Sequence, residues 1–510
     1  MESLPVELLI QIFSSFCIHC QNPETFPNAD LGSVRREKRF LAHLCRTSKA
    51  ICVVAQPILF HYYATGNSRT MMRIQEGRKR VRGFPNELDF LPQFLRSVTQ
   101  RPDLASQIAT MHIVHRDALT GYETQMRNIE SLFEYSASKN LLKKPQLPND
   151  WLEGHFSELQ ISQRGQLHMW LATLAIVLAP RLKSLLLAID HGARFSALED
   201  SPHLKLPSLH TLGVTGHVTD YHFNELEALY AAAPNLETFY ACDASGWISK
   251  SFYHGYAYNL ALSNLKKLSI SDLTFDNLKH LLPCVPKLED LEYYWDDLDA
   301  EKDFDFGDMG ELLEPLKKTL KKLCIGFLPP QYSYDSDPFP KWVLPPQTDY
   351  PSVRTFRQFN RLEYLSIDCF LLYGPGEPDE PNRLIDILPR SIRTLRIAHV
   401  FKGIEKCLRQ LAVDAPEKFP HLEEVKIGIP DKTDPRYDYN IDKTRFSREY
   451  FEASGIRFVC KTDLVGQHPR TTIPGDTFGW SQMPVPRISD EIDIEEIKGL
   501  NILRKEYLLD

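Results

Sequence analysis

The chain has 510 residues, 43% of them hydrophobic and 25% charged, with a formal net charge of −8. This composition is typical of a globular protein, and the mildly acidic balance gives no general attraction to nucleic-acid phosphates or anionic lipid. Ten cysteines are too few for a disulfide scaffold, and no Asn-x-Ser/Thr sequon occurs. Residues 1–20 lack the features of a signal peptide. The longest apolar run, 170–179, is too short to cross a bilayer. We therefore expect a cytoplasmic and/or nuclear protein whose partners include neither nucleic acid nor a membrane.

The first predicted element is an amphipathic helix at the N-terminus. Pro5 suits the first helical turn, and Glu7 suits the positive end of the helix dipole. The helix carries a broad apolar face: Leu8, Leu9, Ile12, Phe13 and Phe16. Two further helical stretches follow an insertion at 18–38 and lie near 40–45 and 51–55. Three short helices cannot bury this much apolar surface among themselves, so we expect an obligate partner.

This segment resembles an F-box. The resemblance rests on Leu4-Pro5-x-Glu7-Leu8, Ile12-Phe13, Leu44-Cys45 and Thr47-Ser48-Lys49, and residues 94–105 are similar to the bridge into the repeats of fungal F-box proteins. It implies binding to a Skp-type adaptor and, through that adaptor, to cullin and RING subunits. Together with the excess apolar surface, it predicts an adaptor-binding face made of Leu4, Pro5, Leu8, Ile12, Phe13 and Leu44. The insertion at 18–38 departs from the family pattern, because it lengthens the connection between the first two helices.

The sequence Cys17-Ile-His-Cys20 is a lone C-x-x-C pair. Structural zinc takes four ligands, and no second pair stands at a suitable spacing, so we expect two free cysteines, with no metal and no cofactor. The basic segment 73–82 is interpreted as a solvated helix face or linker, with a nuclear-import or nucleic-acid patch as the alternative.

Helical stretches are predicted near 122–143 and 165–179, and the apolar residues 169–178 are expected to lie in the core. From position 182 onward a six-residue pattern, apolar-x-x-apolar-x-apolar, recurs. Its copies start at Leu182, Leu209, Leu236, Leu265, Leu288, Leu320, Leu362, Ile392 and Leu422, with an early copy at Ile108. The starts are spaced 27, 27, 29, 23, 32, 42, 30 and 30 residues apart, near the period of leucine-rich repeats.

Proline marks the same units independently. Pro180, Pro207, Pro234, Pro286 and Pro420 each stand two residues before a start, where proline ends a helix and favours an extended entry to a strand. Helical patterns between the starts, such as 223–230, 275–282 and 404–411, predict one strand and one helix per unit. Proline-rich loops are predicted at 329–351 and 373–382, and a final helix is predicted to begin at Ser447 and end at Gly455.

No sequence motif nominates a catalytic residue. An acidic stretch at 297–301 resembles a calcium loop only in part, because Lys302 stands where glycine is required. P-loop, dinucleotide-binding, H-E-x-x-H and G-x-S-x-G motifs are absent from the sequence. We therefore expect a non-catalytic subunit. An enzyme of unrecognised type would need polar groups that converge in a pocket.

The predicted fold class is α/β: a leucine-rich-repeat solenoid of strand–helix repeats with a small all-α F-box at its N-terminus. The predicted domains are the F-box (1–63, with the insertion 18–38), a helical linker (64–104), the solenoid (105–463) and a C-terminal tail (464–510). The predicted function is substrate recognition in a Skp–cullin–F-box type ubiquitin ligase, with the repeats binding a target protein. The alternative is a scaffold or adaptor protein that uses the repeats for protein binding without ubiquitination.

The target is expected to bind the solvent face of the sheet. Side chains alternate along a strand, so residues that flank the last two core positions of each unit point away from the core. This rule selects six aromatic and charged side chains: Tyr240, Glu292, Tyr294, Tyr364, Asp368 and Arg396. Exposed tyrosine and arginine commonly anchor protein interfaces.

Overall fold

The structure is a computed structural model. It describes residues 4–21, 31–64, 91–114, 126–147, 161–189, 194–216, 221–242, 244–245, 260–271, 273, 275–295, 309–327, 353, 355–373, 380–398, 400, 404–428 and 448–461. The basic segment 73–82, the proline-rich loop 329–351, the calcium-like stretch 297–301 and the tail 464–510 lie outside these residues.

A twelve-stranded parallel sheet dominates the fold. The strands, in chain order, are β1 (Tyr62–Ala64), β2 (Thr110–Val114), β3 (Ser184–Ile189), β4 (Thr211–Gly216), β5 (Tyr221–His222), β6 (Thr238–Cys242), β7 (Ala244–Ser245), β8 (Lys267–Ser271), β9 (Asp290–Trp295), β10 (Lys322–Phe327), β11 (Tyr364–Asp368), β12 (Thr394–Ala398), β13 (Glu424–Gly428) and β14 (Arg457–Lys461). Within the large sheet each strand pairs only with its neighbours in chain order, while β5 and β7 form a separate pair. The mixed α/β class is as predicted.

The recurring pattern forms strands at all ten of its copies. The second and third apolar positions lie in register across the sheet, so that Leu212 pairs with Leu185 and Phe239, and Val214 with Leu187 and Ala241. These side chains are buried because alternate residues of a strand share one face. The pattern did not reveal β1 and β14, which form the two edges of the sheet.

The carbonyl group just before ten strands of the large sheet makes the same pair of hydrogen bonds. The carbonyl oxygen of Lys183 accepts the N–H groups of His210 and Thr211 at 2.9 and 3.0 Å. The same arrangement recurs at His61, Ala109, His210, Glu237, Lys266, Glu289, Lys321, Glu363 and Arg393. We call this series the carbonyl ladder. It aligns the start of each strand with the start of the next.

The turns that contain the repeated prolines are also connected. Ser208 Oγ donates to the carbonyl oxygen of Pro180 at 2.8 Å, and Asn235 Nδ2 donates to that of Pro207 at 2.8 Å. Asn264 Nδ2 donates to the carbonyl oxygen of Pro234 at 2.9 Å. The turns of Pro180, Pro207 and Pro234 therefore each accept a side chain from the next turn.

The helices lie before β1 and in the connections between strands. They are α1 (Val6–Ser14), α2 (Ile18–Gln21), α3 (Leu31–Cys45), α4 (Lys49–Phe60), α5 (Leu91–Gln100), α6 (Pro102–Ala105), α7 (Met126–Ser138), α8 (Ile161–Val177), α9 (Ser196–Glu199), α10 (Glu227–Ala232), α11 (Phe275–Leu281), α12 (Met309–Leu312), α13 (Cys369–Tyr373), α14 (Arg383–Ile387) and α15 (Ile404–Lys418). Further helical residues lie at 448–453, where Gly455 ends the helix at a φ of +74° as predicted. Within the described part of the chain, no helix is long and apolar enough to cross a membrane.

Two hydrophobic clusters make up most of the core. The larger cluster runs from Tyr63 to Phe458 and includes the buried segment of α8, which confirms that residues 169–176 lie in the core. The smaller cluster belongs to the N-terminal helices and contains Leu9, Phe13, Cys17, Leu41, Leu44, Ile51, Val54, Ala55 and Ile58. The insertion 18–38 contributes α2 and the first residues of α3.

Candidate interaction surfaces

Helix α1 carries apolar side chains on two different faces. Leu9 and Phe13, four residues apart, are buried in the smaller cluster. Leu4, Leu8 and Ile12 repeat at the same spacing but remain 37%, 45% and 43% exposed. Residues four apart lie on one side of a helix, so Leu8 and Ile12 form an apolar stripe, which we extend to Leu4, two residues before the helix begins. We call it the α1 stripe.

The predicted adaptor-binding face therefore divides into an outer and an inner part. Pro5 is exposed beside the α1 stripe, whereas Phe13 is 1% exposed and Leu44 is 8% exposed. Assigning Phe13 and Leu44 to an open face was wrong, because both side chains pack inside the helical module. The sequence prediction also missed four exposed apolar side chains of this module: Val6, Ile10, Phe40 and Val53.

The sheet face opposite the main core carries a cluster of polar and aromatic side chains on β6 and β8–β12. Register places Tyr240, Ser269, Glu292 and Cys324 side by side on β6, β8, β9 and β10. Ser366 of β11 and Arg396 of β12 continue this row. The alternation rule therefore put the six predicted side chains on the correct side of the sheet.

Glu292 is the centre of this cluster. Its side chain is 1% exposed, and its carboxylate lies 2.6 Å from Lys322 Nζ and 3.7 Å from Lys267 Nζ. Ser269 Oγ donates a hydrogen bond to the same carboxylate at 3.1 Å. Asp290 lies 3.3 Å from Lys322 Nζ and 3.7 Å from Lys267 Nζ. Two carboxylates and two ammonium groups thus balance each other on three adjacent strands.

Aromatic rings flank these charges on both sides. Lys267 Nζ lies 5.3 Å from the centre of the Tyr240 ring, and Lys322 Nζ lies 5.6 Å from that of Tyr364. Both distances allow a cation–π attraction. Tyr294 and Cys324 form a small buried cluster against which Tyr240 and Tyr364 pack. The rings therefore cover the ion pairs from the sides.

Burial and charge set the ionisation of the cluster. Burial raises the pKa of Asp290, opposed by the ammonium group of Lys322. Burial alone would lower the pKa of Lys322, but the negative groups around it, Cys324 when ionised and then Glu292, hold that pKa above its ordinary value. Burial also raises the pKa of Cys324, which keeps this residue a neutral thiol and hence a weak nucleophile.

The predicted open face is largely closed. Four of the six predicted target-binding side chains are buried: Glu292, Tyr294, Asp368 and Arg396. The expectation that they are solvent-exposed was wrong, because polar side chains on this face pack against each other across neighbouring strands. Tyr240 and Tyr364 are half-buried and remain accessible. The prediction missed Lys267, Asp290 and Lys322, although each also occupies an outward position of its unit.

No protein-family model and no curated protein matches this chain.

Proposed function

We propose that this chain is a substrate-recognition subunit of a Skp–cullin–F-box type ubiquitin ligase, made of an F-box followed by a leucine-rich-repeat solenoid. The observation that carries the proposal is the α1 stripe. Leu4, Leu8 and Ile12 remain exposed although the helical module has a complete core of its own. Apolar surface that is aligned along one helix and left outside the core is suited to a partner protein.

The solenoid part of the proposal is supported by the connections between units. Every strand of the large sheet pairs with its neighbours in chain order, and the carbonyl ladder repeats the same two hydrogen bonds from unit to unit. Repeat arrays are built in this way, because each unit contacts mainly the units next to it.

The proposed mechanism is proximity. The F-box holds the chain on the adaptor, and the cullin and RING subunits bring the ubiquitin-charged enzyme close. A target bound to the sheet then meets that enzyme at a high effective concentration. Tyr240 and Tyr364 are the accessible members of the proposed target-binding face, and the ammonium groups of Lys267 and Lys322 beside them would hold both rings in position.

The first test replaces Leu4, Leu8 and Ile12 together by Gln. Full burial of a large apolar side chain contributes about 1.5–3 kcal/mol, and less than half of each side chain remains to be buried, so each contributes about 1 kcal/mol. Loss of about 3 kcal/mol weakens binding roughly a hundredfold. Titration of the purified chain with a Skp-type adaptor measures the change.

Two control variants make this test specific. Val413→Gln changes a 59% exposed apolar residue on α15, far along the chain from the helical module, and should not alter adaptor binding. Replacing Val6 and Ile10 by Gln tests the opposite flank of α1. Unchanged adaptor affinity of a folded stripe variant would refute the F-box assignment. Adaptor binding without co-purifying cullin would favour the scaffold alternative.

A further inference from the structure

Four metal-ligating side chains meet at the end of the N-terminal helical module. Cys17 precedes α2, His19 and Cys20 lie within it, and His61 follows α4. Their ligand atoms all lie within 4.8 Å of one another. Cys20 Sγ is 3.1 Å from His61 Nδ1 and 3.9 Å from His19 Nδ1, and the two imidazole rings meet edge to face with their centres 5.5 Å apart.

We propose that Cys17, His19, Cys20 and His61 form a tetrahedral zinc site. Two thiolates and two imidazoles are a donor set that structural zinc uses. Zinc–sulfur bonds of about 2.3 Å and zinc–nitrogen bonds of about 2.0–2.1 Å put neighbouring tetrahedral ligand atoms roughly 3.3–3.8 Å apart. The separations around Cys20 are close to this range, so small side-chain movements would complete the site.

The chemistry of the donors favours zinc over other uses of the same residues. Calcium and magnesium bind oxygen ligands, which this cluster lacks among its four donors. A cysteine–histidine nucleophile needs one thiol and one base, and it does not explain the second cysteine and the second histidine. Both cysteines are free, so both sulfur atoms can serve as ligands.

The position of His61 gives the site a structural role. Its backbone carbonyl oxygen is the first member of the carbonyl ladder and accepts the N–H groups of Ala109 and Thr110, both at 3.0 Å. β1 begins at the next residue, Tyr62. Zinc would thus connect α2 to the residue from which the sheet starts. All four positions are occupied by protein ligands, which is typical of structural rather than catalytic zinc.

The site was not predicted from the sequence, because its four ligands do not form two closely spaced pairs along the chain. His61 lies 41 residues beyond Cys20, and the other histidine stands inside the C-x-x-C sequence. The fold of α3 and α4 brings His61 back to the first helices. The expectation of two free cysteines without a metal rested only on the spacing of the ligands along the sequence.

The test measures zinc in the full-length chain. The wild-type protein is purified under reducing conditions from zinc-supplemented medium, and its metal is quantified by mass spectrometry after gel filtration. We expect about one zinc ion per chain. Cys20→Ser and His61→Asn should lose most of it. The matched controls are Cys52→Ser and His43→Gln, which change the same residue types within the module but outside the cluster and should retain the metal.

A second measurement does not depend on how well the variants fold. Cobalt(II) added to chelator-treated wild-type protein should produce the visible bands of a tetrahedral site and a thiolate charge-transfer band, and zinc should displace both. Chelation of the wild-type protein should lower its unfolding temperature, because metal binding is coupled to folding. Metal retained equally by the ligand variants and the controls would overturn the proposal. So would a reduced wild-type chain that takes up neither metal. This proposal does not depend on the ligase function.

Discussion

Removing the charge of Glu292 should destabilise the protein much more than removing a similar charge nearby. Glu292 contacts Lys322 at 2.6 Å while 1% exposed. At about 4 Å two unit charges attract by about 4 kcal/mol at an effective dielectric constant near 20, but by only about 1 kcal/mol in water. Breaking a buried ion pair typically costs about 3–5 kcal/mol, because the partner charge stays buried.

Three features reduce the expected loss for Glu292→Gln. Lys322 keeps 32% of its side-chain exposure, so solvent screens part of its charge, and Asp290 remains as a second partner. Gln also keeps an oxygen that can accept the hydrogen bond of Ser269. We therefore expect the free energy of unfolding to fall by about 2–3 kcal/mol, below the usual range for a fully buried pair.

The chain provides a matched control for this measurement. Glu289 and Lys321, one position before β9 and β10, form an ion pair of 2.8 Å whose side chains are 41% and 39% exposed. Exposed pairs contribute about 0–1 kcal/mol, so Glu289→Gln should change the stability little. Urea unfolding of the wild type and both variants at pH 7 gives the comparison. A Glu292→Gln variant as stable as Glu289→Gln would refute the argument that burial makes removal of this charge strongly destabilising.

Two further predictions concern pH and backbone conformation. Burial lowers the pKa of His112 to about 3, whereas the pKa of histidine in the unfolded chain is near 6.5. As the pH drops below 6.5, the unfolded chain therefore binds this proton before the folded protein does. The free energy of unfolding should fall by about 1.4 kcal/mol per pH unit in this range. Urea unfolding between pH 7.5 and 5 checks this: His112→Leu should remove that part of the slope, and an unchanged slope would contradict it. Gly455 has a φ of +74°, so Gly455→Ala should lower the free energy of unfolding by about 1–2 kcal/mol through backbone strain, since no atom lies within 4 Å of the added carbon. Gly455→Asn should lose less, and an Ala variant that unfolds at the wild-type temperature would count against this reasoning.

The spacing of apolar residues predicted the strands well, because each buried position can be recognised from the residue type at that position alone. Leu185, Leu212 and Phe239 are recognisable in isolation, and each is buried in the same column of the sheet. β1 and β14 were missed because edge strands pair on one side only and do not repeat the full pattern. Contacts between units are harder to predict. The bond from Ser269 to Glu292 joins residues 23 positions apart, and only the exact register reveals it.

The helical module shows a different limit of sequence periodicity. Apolar side chains occur around most of α1, so spacing groups Leu8 with Ile12 and Leu9 with Phe13 without showing which group faces inward. The packing of α1 against α4, and that of α3 against α4, decides this. The same packing brings His61 to Cys20. Tertiary arrangement, rather than local preference, therefore determines which residues of this module are available to a partner.

Pairing each strand only with the next strand in the chain makes folding insensitive to loop length. The entropy of closing a loop grows with the logarithm of its length, so widening a unit from 27 to 42 residues, as between Leu320 and Leu362, adds about 0.4 kcal/mol. One backbone hydrogen bond contributes as much or more, and each new strand forms several with the preceding strand. Long insertions can therefore accumulate between strands during evolution without loss of the fold, and segments such as 329–351 are free to diversify while the strands on either side keep their register.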